Sequence, residues 1–324
     1  MGLLLLQYVG LSFLVVFSSI KISECVDELD QRTKLGGALI GGILLAGVTS
    51  LPELITSISS TMMLNNPDLA FGNILGSNAF NVFILAVGNI VFIKHMLFNN
   101  IGRSNTMTNV INCTIYIVIL FTFFSPTITQ VGHVGTASIS IAVLYYLNLK
   151  LASNLESNDN QSSDLPNPSE SMLNLILRFV FFAIVIVISS LLVSITTDNI
   201  ARETGVGSSF VGAIFLGVAT SLPEMTSLIS LIRMRNYDIA VGNIVGSNLF
   251  NFGIIALTDV LYFSGNIFEI ADISNSLLVF VGLAESIVLA FVLFGIKIKN
   301  KFLYAIPSVL IILVYCYYIT TSLK

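Results

Sequence analysis

Residues 49–53 of this chain read T-S-L-P-E, and residues 220–224 read T-S-L-P-E again. Each copy follows a run of apolar residues and glycines, which predicts that both copies lie inside lipid-embedded segments. Proline has no N–H and its ring clashes with the preceding turn, so each copy also predicts a break in its helix. An uncompensated charge at the bilayer centre costs about 2.5–3.5 kcal/mol. A glutamate at this depth, present twice, therefore indicates a function.

The composition predicts a polytopic membrane protein. Of the 324 residues, 55% are hydrophobic and only 10% are charged, whereas a soluble domain carries about 25% charged residues. The net charge of -4 gives no indication of nucleic-acid binding. The three cysteines, Cys25, Cys113 and Cys316, lack the spacing of a metal or redox motif. The N-terminal apolar run has no basic region before it, so we interpret it as a first span and not as a cleaved signal.

Ten segments are long and apolar enough to predict transmembrane helices, since a span needs about 20 mostly apolar residues. They lie near 3–22, 35–63, 69–93, 108–125, 132–150, 172–196, 205–232, 239–264, 274–296 and 302–321. The second and seventh contain the T-S-L-P-E sequences, so we expect these two helices to be broken. Residues 153–171 are acidic and rich in Ser, Asn and Pro, which predicts a flexible linker. The linker divides the chain into two five-helix units, 1–152 and 172–324.

The two halves share a second block of sequence. Residues 68–81 read D-L-A-F-G-N-I-L-G-S-N-A-F-N and residues 238–251 read D-I-A-V-G-N-I-V-G-S-N-L-F-N, with ten of 14 positions identical. In both halves this block follows the glutamate of T-S-L-P-E in the same order. Two matched pairs of motifs in one order indicate an internal duplication.

The basic residues predict how the repeats are oriented. With ten alternating spans, 12 of the 14 Lys and Arg residues fall on one side of the membrane. These are Lys21, Arg32, Lys34, Lys94, Arg103, Lys150, Arg178, Arg233, Arg235, Lys297, Lys299 and Lys301. The positive-inside rule makes that side cytoplasmic and predicts that both termini are extracytoplasmic, in the cell (plasma) membrane. Because five is an odd number, the second unit starts on the opposite side, so the repeats are predicted to be inverted.

The T-S-L-P-E segments combine groups that suit a cation. We expect Ser50 and Ser221 to cap the restarted helices and the breaks to free backbone carbonyls at 46–49 and 217–220. Free carbonyls at membrane depth are tolerated where they face a cavity or a ligand. Carbonyl, hydroxyl and carboxylate oxygens together suit Na⁺ or Ca²⁺. The sequence offers no mid-membrane Lys or Arg to Glu53 or Glu224, so a cation or a proton is the expected partner.

The second block supplies further oxygen atoms. Ser77 and Asn81 are four residues apart and share one helix face, as do Ser247 and Asn251. In an alternative interpretation, these polar side chains only hold helices together. That alternative accounts for the glycines and for the asparagine after each serine. It accounts less well for the repeated Ser/Asn pairs, for which we favour ligation.

These motifs resemble the α-repeats of the sodium/calcium exchanger family, within the cation/calcium antiporter superfamily. The resemblance implies an outward-facing N-terminus and a central group of four cation sites. It implies that Glu53 and Glu224 bind Ca²⁺ with the carbonyls of Thr49 and Thr220. The hydroxyls would line the Na⁺ positions, and Asn81 and Asn251 would close the middle. The full implied ligand set is Glu53, Glu224, Thr49, Thr220, Ser50, Ser221, Ser77, Ser247, Asn81 and Asn251.

The chain departs from the family at one position, because many members carry an aspartate where this chain has Asn251. Two carboxylates without a third argue against potassium dependence. One Ca²⁺ neutralises two carboxylates and three Na⁺ leave a charge of +1, so exchange is predicted to be electrogenic. Two protons also neutralise the pair, so Ca²⁺/H⁺ or other divalent cation/H⁺ antiport is the alternative.

Other functional classes fit the sequence less well. A channel needs weak, multi-ion sites in an open pore. An intramembrane hydrolase needs an activated nucleophile or a metal, and the sequence has no membrane-embedded His or zinc motif. We therefore predict a secondary transporter and not an enzyme. It is expected to act as a monomer in the lipid bilayer, without a cofactor and without nucleic acid, and to carry Ca²⁺ and Na⁺.

Two further acidic residues have weaker signals. Glu285 lies in the ninth span and has no counterpart in the first half. A membrane glutamate is a functional candidate, but we favour a protonated residue that is hydrogen-bonded to a neighbouring helix. Asp259 lies near the end of the eighth span, and we expect it to be solvated.

Overall fold

The computed structural model describes residues 2–32, 44–62, 65, 67–95, 98, 101–125, 130–156, 171–204, 220–271, 275–294 and 298–322. Nearly all of this part of the chain is helical. The helices are α1 (Gly2–Arg32), α2 (Ala46–Thr49), α3 (Leu51–Met62), α4 (Pro67–Val91), α5 (Arg103–Phe124), α6 (Thr136–Glu156), α7 (Met172–Thr204), α8 (Leu222–Arg233), α9 (Tyr237–Leu261), α10 (Ile267–Ile270), α11 (Asn275–Leu293) and α12 (Lys301–Ser322). A 3₁₀ turn covers Ile93–His95, and two short antiparallel strands, β1 (Gln130–Val131) and β2 (Val134–Gly135), precede α6.

Seven helices of the described residues are long and apolar enough to cross a membrane: α1, α4, α5, α7, α9, α11 and α12. The apolar stretch Thr136–Ala152 in α6 is a shorter eighth candidate. Of the predicted second and seventh spans, residues 35–43 and 205–219 lie outside the described residues. The structure thus confirms a helical, membrane-type fold, and the count of ten spans stays a prediction. Most of the predicted linker, 157–170, also lies outside the described residues.

The helices α1 and α7 are longer than the sequence predicted. The predicted spans 3–22 and 172–196 become Gly2–Arg32 and Met172–Thr204. Ion pairs within α1 accompany its polar last turns: Lys21 Nζ lies 2.8 Å from Glu24 Oε2, and Arg32 pairs with Glu28. Pairs spaced three and four residues apart stabilise a helix surface. A membrane-length estimate misses such an extension because it counts only apolar residues.

The helices α1 and α7 pack against each other along their length. Near the middle, the rings of Phe17 and Phe182 meet edge to face with centroids 6.1 Å apart. Toward the end of α1, Arg178 of α7 donates from Nη2 to Glu28 Oε2 at 3.3 Å and from Nε to Cys25 Sγ at 3.1 Å. These contacts join α1 and α7 as one pair.

The predicted break at the first T-S-L-P-E is a bend at Ser50, between α2 and α3. Ser50 has φ -92° and ψ 7°, its N–H donates to the Ala46 carbonyl at 3.0 Å, and its own carbonyl accepts from the Leu54 N–H at 3.1 Å. The Ala46 carbonyl is therefore not free, contrary to expectation, because proline removes only its own N–H from the helix. Ser221, before α8, has the same conformation, with φ -89° and ψ 9°.

The expectation that Ser50 and Ser221 cap these helices with their hydroxyl groups is wrong. Ser221 makes no side-chain cap hydrogen bond, and the Ser50 hydroxyl instead donates to Glu224. Both residues keep a backbone conformation close to helical, whereas a capping side chain needs an extended one.

The helices α4 and α9, which carry the second repeated block, form the centre of the fold. They are the most buried of the seven long helices. They run antiparallel: His95, just after α4, lies beside Tyr237 at the start of α9, with ring centroids 6.1 Å apart. At the other end, Phe71 of α4 meets Phe268, beyond α9, at 5.3 Å. Equivalent segments of the two halves thus lie side by side in opposite directions.

An aspartate fixes each end of α9 to a neighbouring element. At the start, Asp238 Oδ1 accepts from the Gly102 N–H at 2.7 Å, which holds the beginning of α5. At the end, Asp259 is fully buried and accepts from the N–H groups of Gly135 at 2.8 Å and Ile267 at 3.0 Å. The expectation that Asp259 is solvated is wrong, because β2 and α10 fold over this end and bring two backbone donors to the carboxylate.

Gly282 allows α11 to pack tightly on α5, and we expect Gly282→Ala to destabilise the protein. A Cβ at this position would overlap the hydroxyl oxygen of Tyr116, whose side chain is fully buried and has no room to move. Overpacking of this kind costs about 1–3 kcal/mol. Thermal unfolding of the purified protein in detergent should show a lower midpoint than wild type.

The matched control is Gly10→Ala. A Cβ at Gly10 would meet nothing within 4 Å, and alanine favours a helix over glycine. This variant should unfold at or slightly above the wild-type temperature. Equal midpoints for the two variants would contradict the close packing at Gly282.

Candidate cation-binding site

All ten predicted ligands are buried, and each side chain is at most 1% exposed. They are Thr49, Ser50, Glu53, Ser77, Asn81, Thr220, Ser221, Glu224, Ser247 and Asn251. Their hydrogen bonds and contacts join segments that are about 170 residues apart in sequence. The structure therefore gathers the polar residues of both halves into the interior, where water does not reach them.

The two glutamates lie together in this interior. The Ser50 hydroxyl donates to Glu224 Oε1 at 3.2 Å, and the hydroxyls of Ser77 and Thr220 face the Glu53 carboxyl group. The two carboxyl groups are close enough for their charges to repel each other. Within the described residues, both oxygens of Glu53 and Oε2 of Glu224 have no hydrogen-bond partner. Two ionised carboxylates in this position require a positive partner.

Thr49 joins the first T-S-L-P-E segment to α9 of the other half. Its hydroxyl oxygen lies 3.4 Å from Asn243 Oδ1 and 3.4 Å from Ser247 Oγ. It also lies 3.1 Å from the Leu45 carbonyl of its own helix. A threonine hydroxyl has one proton and two acceptor lone pairs, so its oxygen keeps acceptor capacity beside Ser247.

Four asparagines, two from each half, form a closed arrangement that we term the asparagine quartet: Asn78, Asn81, Asn248 and Asn251. Asn78 Nδ2 donates to the Asn248 carbonyl at 3.3 Å, and Asn248 Nδ2 donates to the Asn78 carbonyl at 3.1 Å. Asn81 Nδ2 donates to Asn248 Oδ1 at 3.0 Å, and Asn251 Nδ2 donates to Asn78 Oδ1 at 2.9 Å. Each hydrogen bond from one half to the other is thus matched by an equivalent hydrogen bond in the reverse direction.

The hydrogen bonds of the quartet determine where the amide nitrogen and the Oδ1 atom of each asparagine point. Backbone carbonyls only accept hydrogen bonds, so the amide nitrogens of Asn78 and Asn248 must point toward these carbonyls. The Oδ1 atoms of Asn78 and Asn248 therefore point away from them. Those Oδ1 atoms then accept from the amide nitrogens of Asn81 and Asn251. The Oδ1 atoms of Asn81 and Asn251 are left as acceptors, and neither has a partner within the described residues.

The interior therefore presents a set of unpaired oxygen atoms, which we term the oxygen cage. Within the described residues, its unpaired members are both carboxyl oxygens of Glu53, Oε2 of Glu224, Oγ of Ser77 and Ser221, and Oδ1 of Asn81 and Asn251. Buried polar atoms are normally hydrogen-bonded, so this many acceptors together indicate a ligand. Carboxylate, hydroxyl and amide oxygens are the donors that Ca²⁺ and other hard cations prefer.

The charges nearby also favour a cation. No ion pair within the described residues joins a Lys or Arg to Glu53 or Glu224. The same part of the chain holds no group of three or more His, Cys, Asp or Glu side chains arranged so that they could bind a metal ion. The cage thus has two carboxyl groups and neutral oxygen atoms around them.

Sequence patterns did not identify two asparagines of α5 that hold this helix against its neighbours. Asn112 of α5 donates from Nδ2 to the Val245 carbonyl at 2.9 Å, and Asn109 donates to the Ser286 carbonyl at 2.9 Å. Asn112 thereby fixes α5 against α9, which carries Ser247 and Asn251, and Asn109 fixes α5 against α11. Their signal was an amide recurring at every third or fourth residue in an otherwise apolar span, but the sequence does not show which helix such amides face.

A comparison with known protein families identifies the family of the chain. The family model described as sodium/calcium exchanger protein matches residues 3–152 and 174–324, which is nearly the whole chain. The chain belongs to the sodium/calcium exchanger family. It is therefore an exchanger-type membrane transporter and does not belong to a family of catalytic enzymes.

Individual relatives match very different shares of the chain. The inner membrane protein YrbG of Escherichia coli is 28% identical over 291 residues, which is 85% of each chain. The sodium/calcium exchanger MaX1 of Methanosarcina acetivorans is 35% identical over 60 residues, or 18% of this chain and 17% of that one.

A solved structure shares the fold of the exchanger-family chain. The sodium-calcium exchanger NCX_Mj, soaked with 10 mM Na⁺ and zero Ca²⁺, superposes with a TM-score of 0.75 at 17% identity, and the match covers 99% of both chains. At this identity the likeness establishes the architecture.

The quartet should be necessary for a stable core, so we expect Asn248→Ala to be strongly destabilising. The change leaves Asn81 Nδ2 without its acceptor and removes the second donor of the Asn78 carbonyl, which keeps its hydrogen bond within α4. A buried polar group left unpaired costs about 1–3 kcal/mol. Thermal unfolding in detergent should show a clear drop in midpoint. The exposed Asn174→Ala is the control, and a similar midpoint for the two variants would count against the quartet.

Proposed function

We propose that the protein exchanges Na⁺ for Ca²⁺ across the membrane by alternating access. The observation that carries the proposal is the oxygen cage. Two carboxyl groups, one from each half, lie among unpaired neutral oxygens with no cationic side chain of the described residues beside them. Such a cage cannot remain empty of positive charge in a low-dielectric interior without a large cost. Family membership supports a cation antiporter that carries Ca²⁺.

We assign Ca²⁺ to the two carboxyl groups. Glu53 and Glu224 supply the negative charge, and the carbonyls of Thr49 and Thr220 complete the coordination. The hydroxyls of Ser50, Ser221, Ser77 and Ser247, with those of the two threonines, line the Na⁺ positions. Asn81 and Asn251 close the middle with the Oδ1 atoms that the quartet directs away from itself. The dense hydroxyl lining favours Na⁺ over a proton as the coupling ion.

Inverted repeats provide the symmetry for alternating access. We propose that 1–152 and 172–324 are two such repeats joined by the linker 153–171. The antiparallel course of α4 and α9 and the exchanged bonds of the quartet support this relation. In an inverted pair, either repeat can take the arrangement of the other and so open the opposite side. The paired helices α1 and α7 are the element that would slide across this core.

We place the protein in the plasma membrane as a monomer with both termini outside. The ends predicted to be cytoplasmic do meet in the structure. Asn236, between α8 and α9, donates to Asp27 of α1 at 2.9 Å, and Gly102, before α5, donates to Asp238. Most basic residues flank these ends, which supports the orientation through the positive-inside rule.

The direct test is ⁴⁵Ca²⁺ uptake into proteoliposomes that hold the purified protein, with internal Na⁺, internal K⁺ or an imposed pH gradient as the driving force. We expect uptake with internal Na⁺ only. Glu53→Gln should lower the apparent affinity for Ca²⁺ about 100-fold or more, because removing one partner of a buried charge pair costs about 3–5 kcal/mol.

Glu269→Gln is the matched control for this test. Glu269 is exposed in α10, so this substitution makes the same chemical change away from the cage. It should transport as wild type does. Ca²⁺ uptake that is independent of internal Na⁺ and depends on the pH gradient would contradict this proposal and indicate Ca²⁺/H⁺ antiport. Uptake that needs no counter-ion would indicate a channel.

Exchange of three Na⁺ for one Ca²⁺ should carry one net charge. With internal Na⁺, a potential that is positive inside the vesicle should then increase Ca²⁺ uptake, and a negative one should reduce it. One charge is worth about 2.3 kcal/mol per 100 mV, which is roughly a 50-fold change in the limiting Ca²⁺ gradient. Potentials set by K⁺ and valinomycin would measure this, and uptake that is independent of potential would show electroneutral exchange.

A further inference from the structure

Glu285 is a buried acidic residue that the oxygen cage does not use. It lies in α11, its side chain is fully buried, and neither carboxyl oxygen has a hydrogen-bond partner within the described residues. The expected hydrogen bond to a neighbouring helix is therefore not observed. The adjacent Ser286 hydroxyl is buried and unpaired in the same part of the chain.

Tyr116 connects Glu285 to the asparagine quartet. Tyr116 of α5 packs its hydroxyl group against Gly282, one turn before Glu285 on α11. That hydroxyl group lies within electrostatic range of Glu285 and within reach of Asn78, and it has no hydrogen bond of normal geometry within the described residues. The Tyr116 ring is held edge to face against Phe252 of α9, with centroids 4.8 Å apart. A single rigid side chain thus lies between the carboxyl group and the asparagine that directs Asn251.

The surroundings of Glu285 contain no positive charge among the described residues. The titratable groups that face it are Tyr116 from α5, with Cys113 behind it, and Tyr315 from α12. The described side chains of α4, the third helix packed on α11, include no titratable group. An ionised carboxylate buried without a cation or a donor is strongly unfavourable. A bound proton removes this unfavourable charge and needs no additional space beside the carboxyl group.

We propose that Glu285 is a proton-binding site, and that its proton and the cations of the oxygen cage compete. The proposal rests on the proposed function, because it takes the cage to bind cations. Loss of the proton adds a negative charge beside Tyr116, whose hydroxyl group reaches the asparagine quartet that directs Asn81 and Asn251, and this favours cation binding in the oxygen cage. By linkage, a cation that enters the cage favours release of the proton from Glu285 by the same factor.

Tyr116 provides a physical link between the two sites. Its hydroxyl group has one proton to donate. When Glu285 is ionised, that proton is drawn to the carboxylate; when Glu285 carries its own proton, the hydroxyl is available to Asn78 Oδ1. The charge at Glu285 is in this way coupled to the asparagines as well as to the field in the cage. Tyr116 acts here as a positioning residue.

The proton itself is tested by infrared difference spectroscopy between wild type and Glu285→Gln, without added Na⁺ or Ca²⁺. We expect the carbonyl stretch of a protonated carboxyl group at neutral pH, absent from the variant. If Glu285→Gln does not fold, Glu285→Asp serves instead and should shift the band. A wild-type spectrum without this band would overturn the proposal, whatever the protein transports.

The competition is tested by Ca²⁺ binding to the detergent-purified protein across a range of pH. Glu53 and Glu224 give a pH dependence common to all variants that retain them, so the comparison is between slopes. We expect wild-type affinity to rise with pH more steeply than that of Glu285→Gln, with a difference of about fivefold or more at the alkaline end. Proton release on Ca²⁺ addition, read with an indicator dye, should be smaller in the variant.

Three results separate the two proposals. Glu269→Gln should match wild type in both measurements. Ca²⁺ binding that is lost in Glu53→Gln but has the same pH slope in wild type and Glu285→Gln would retain the cage and overturn the competition. Ca²⁺ binding that is unaffected by Glu53→Gln would overturn the cage, and the infrared band would then decide whether Glu285 holds a proton.

Discussion

The exchange of hydrogen bonds between Asn78 and Asn248 is the interaction on which the rest of the site depends. Each amide reaches the backbone carbonyl of its equivalent on the other helix, which fixes how far α4 and α9 are shifted along each other. Next to Asn248, Ser247 of α9 meets Thr49 of α2, and the amide oxygens of Asn81 and Asn251 are left without a partner within the described residues. A small slide of either helix would break both bonds at once, so the core behaves as one rigid body.

The sequence was sufficient to predict the polar composition of the centre, because lipid makes every buried polar residue costly and duplication makes each one appear twice. It could not predict the direction of the Ser50 hydroxyl, since Glu224 is 174 residues away. Asp259 was misplaced for the same reason: its donors, Gly135 and Ile267, come from elements that meet only in the folded chain. Short-range rules describe helices well and describe cross-helix contacts poorly.

Two groups of acidic residues in the described chain differ in their surroundings. Those at helix ends have partners, as Glu28 has in Arg178 and Asp27 has in Asn236, and these contacts fasten α1 to α7 and to the start of α9. Glu53, Glu224 and Glu285 lie in the interior without a basic side chain from the described residues. The first group holds the helices together at a surface. The second has charge that only a mobile ion can balance.

The contact of Gly282 with Tyr116 has an evolutionary consequence. Because no side chain fits between the glycine and the phenol, a larger residue on α11 becomes acceptable only after the tyrosine has been replaced by something smaller. Among homologous chains, the two positions should therefore change together or not at all. Where the tyrosine is lost, selection on an acid at the position of Glu285 should relax as well, so that the three sites are inherited as a unit.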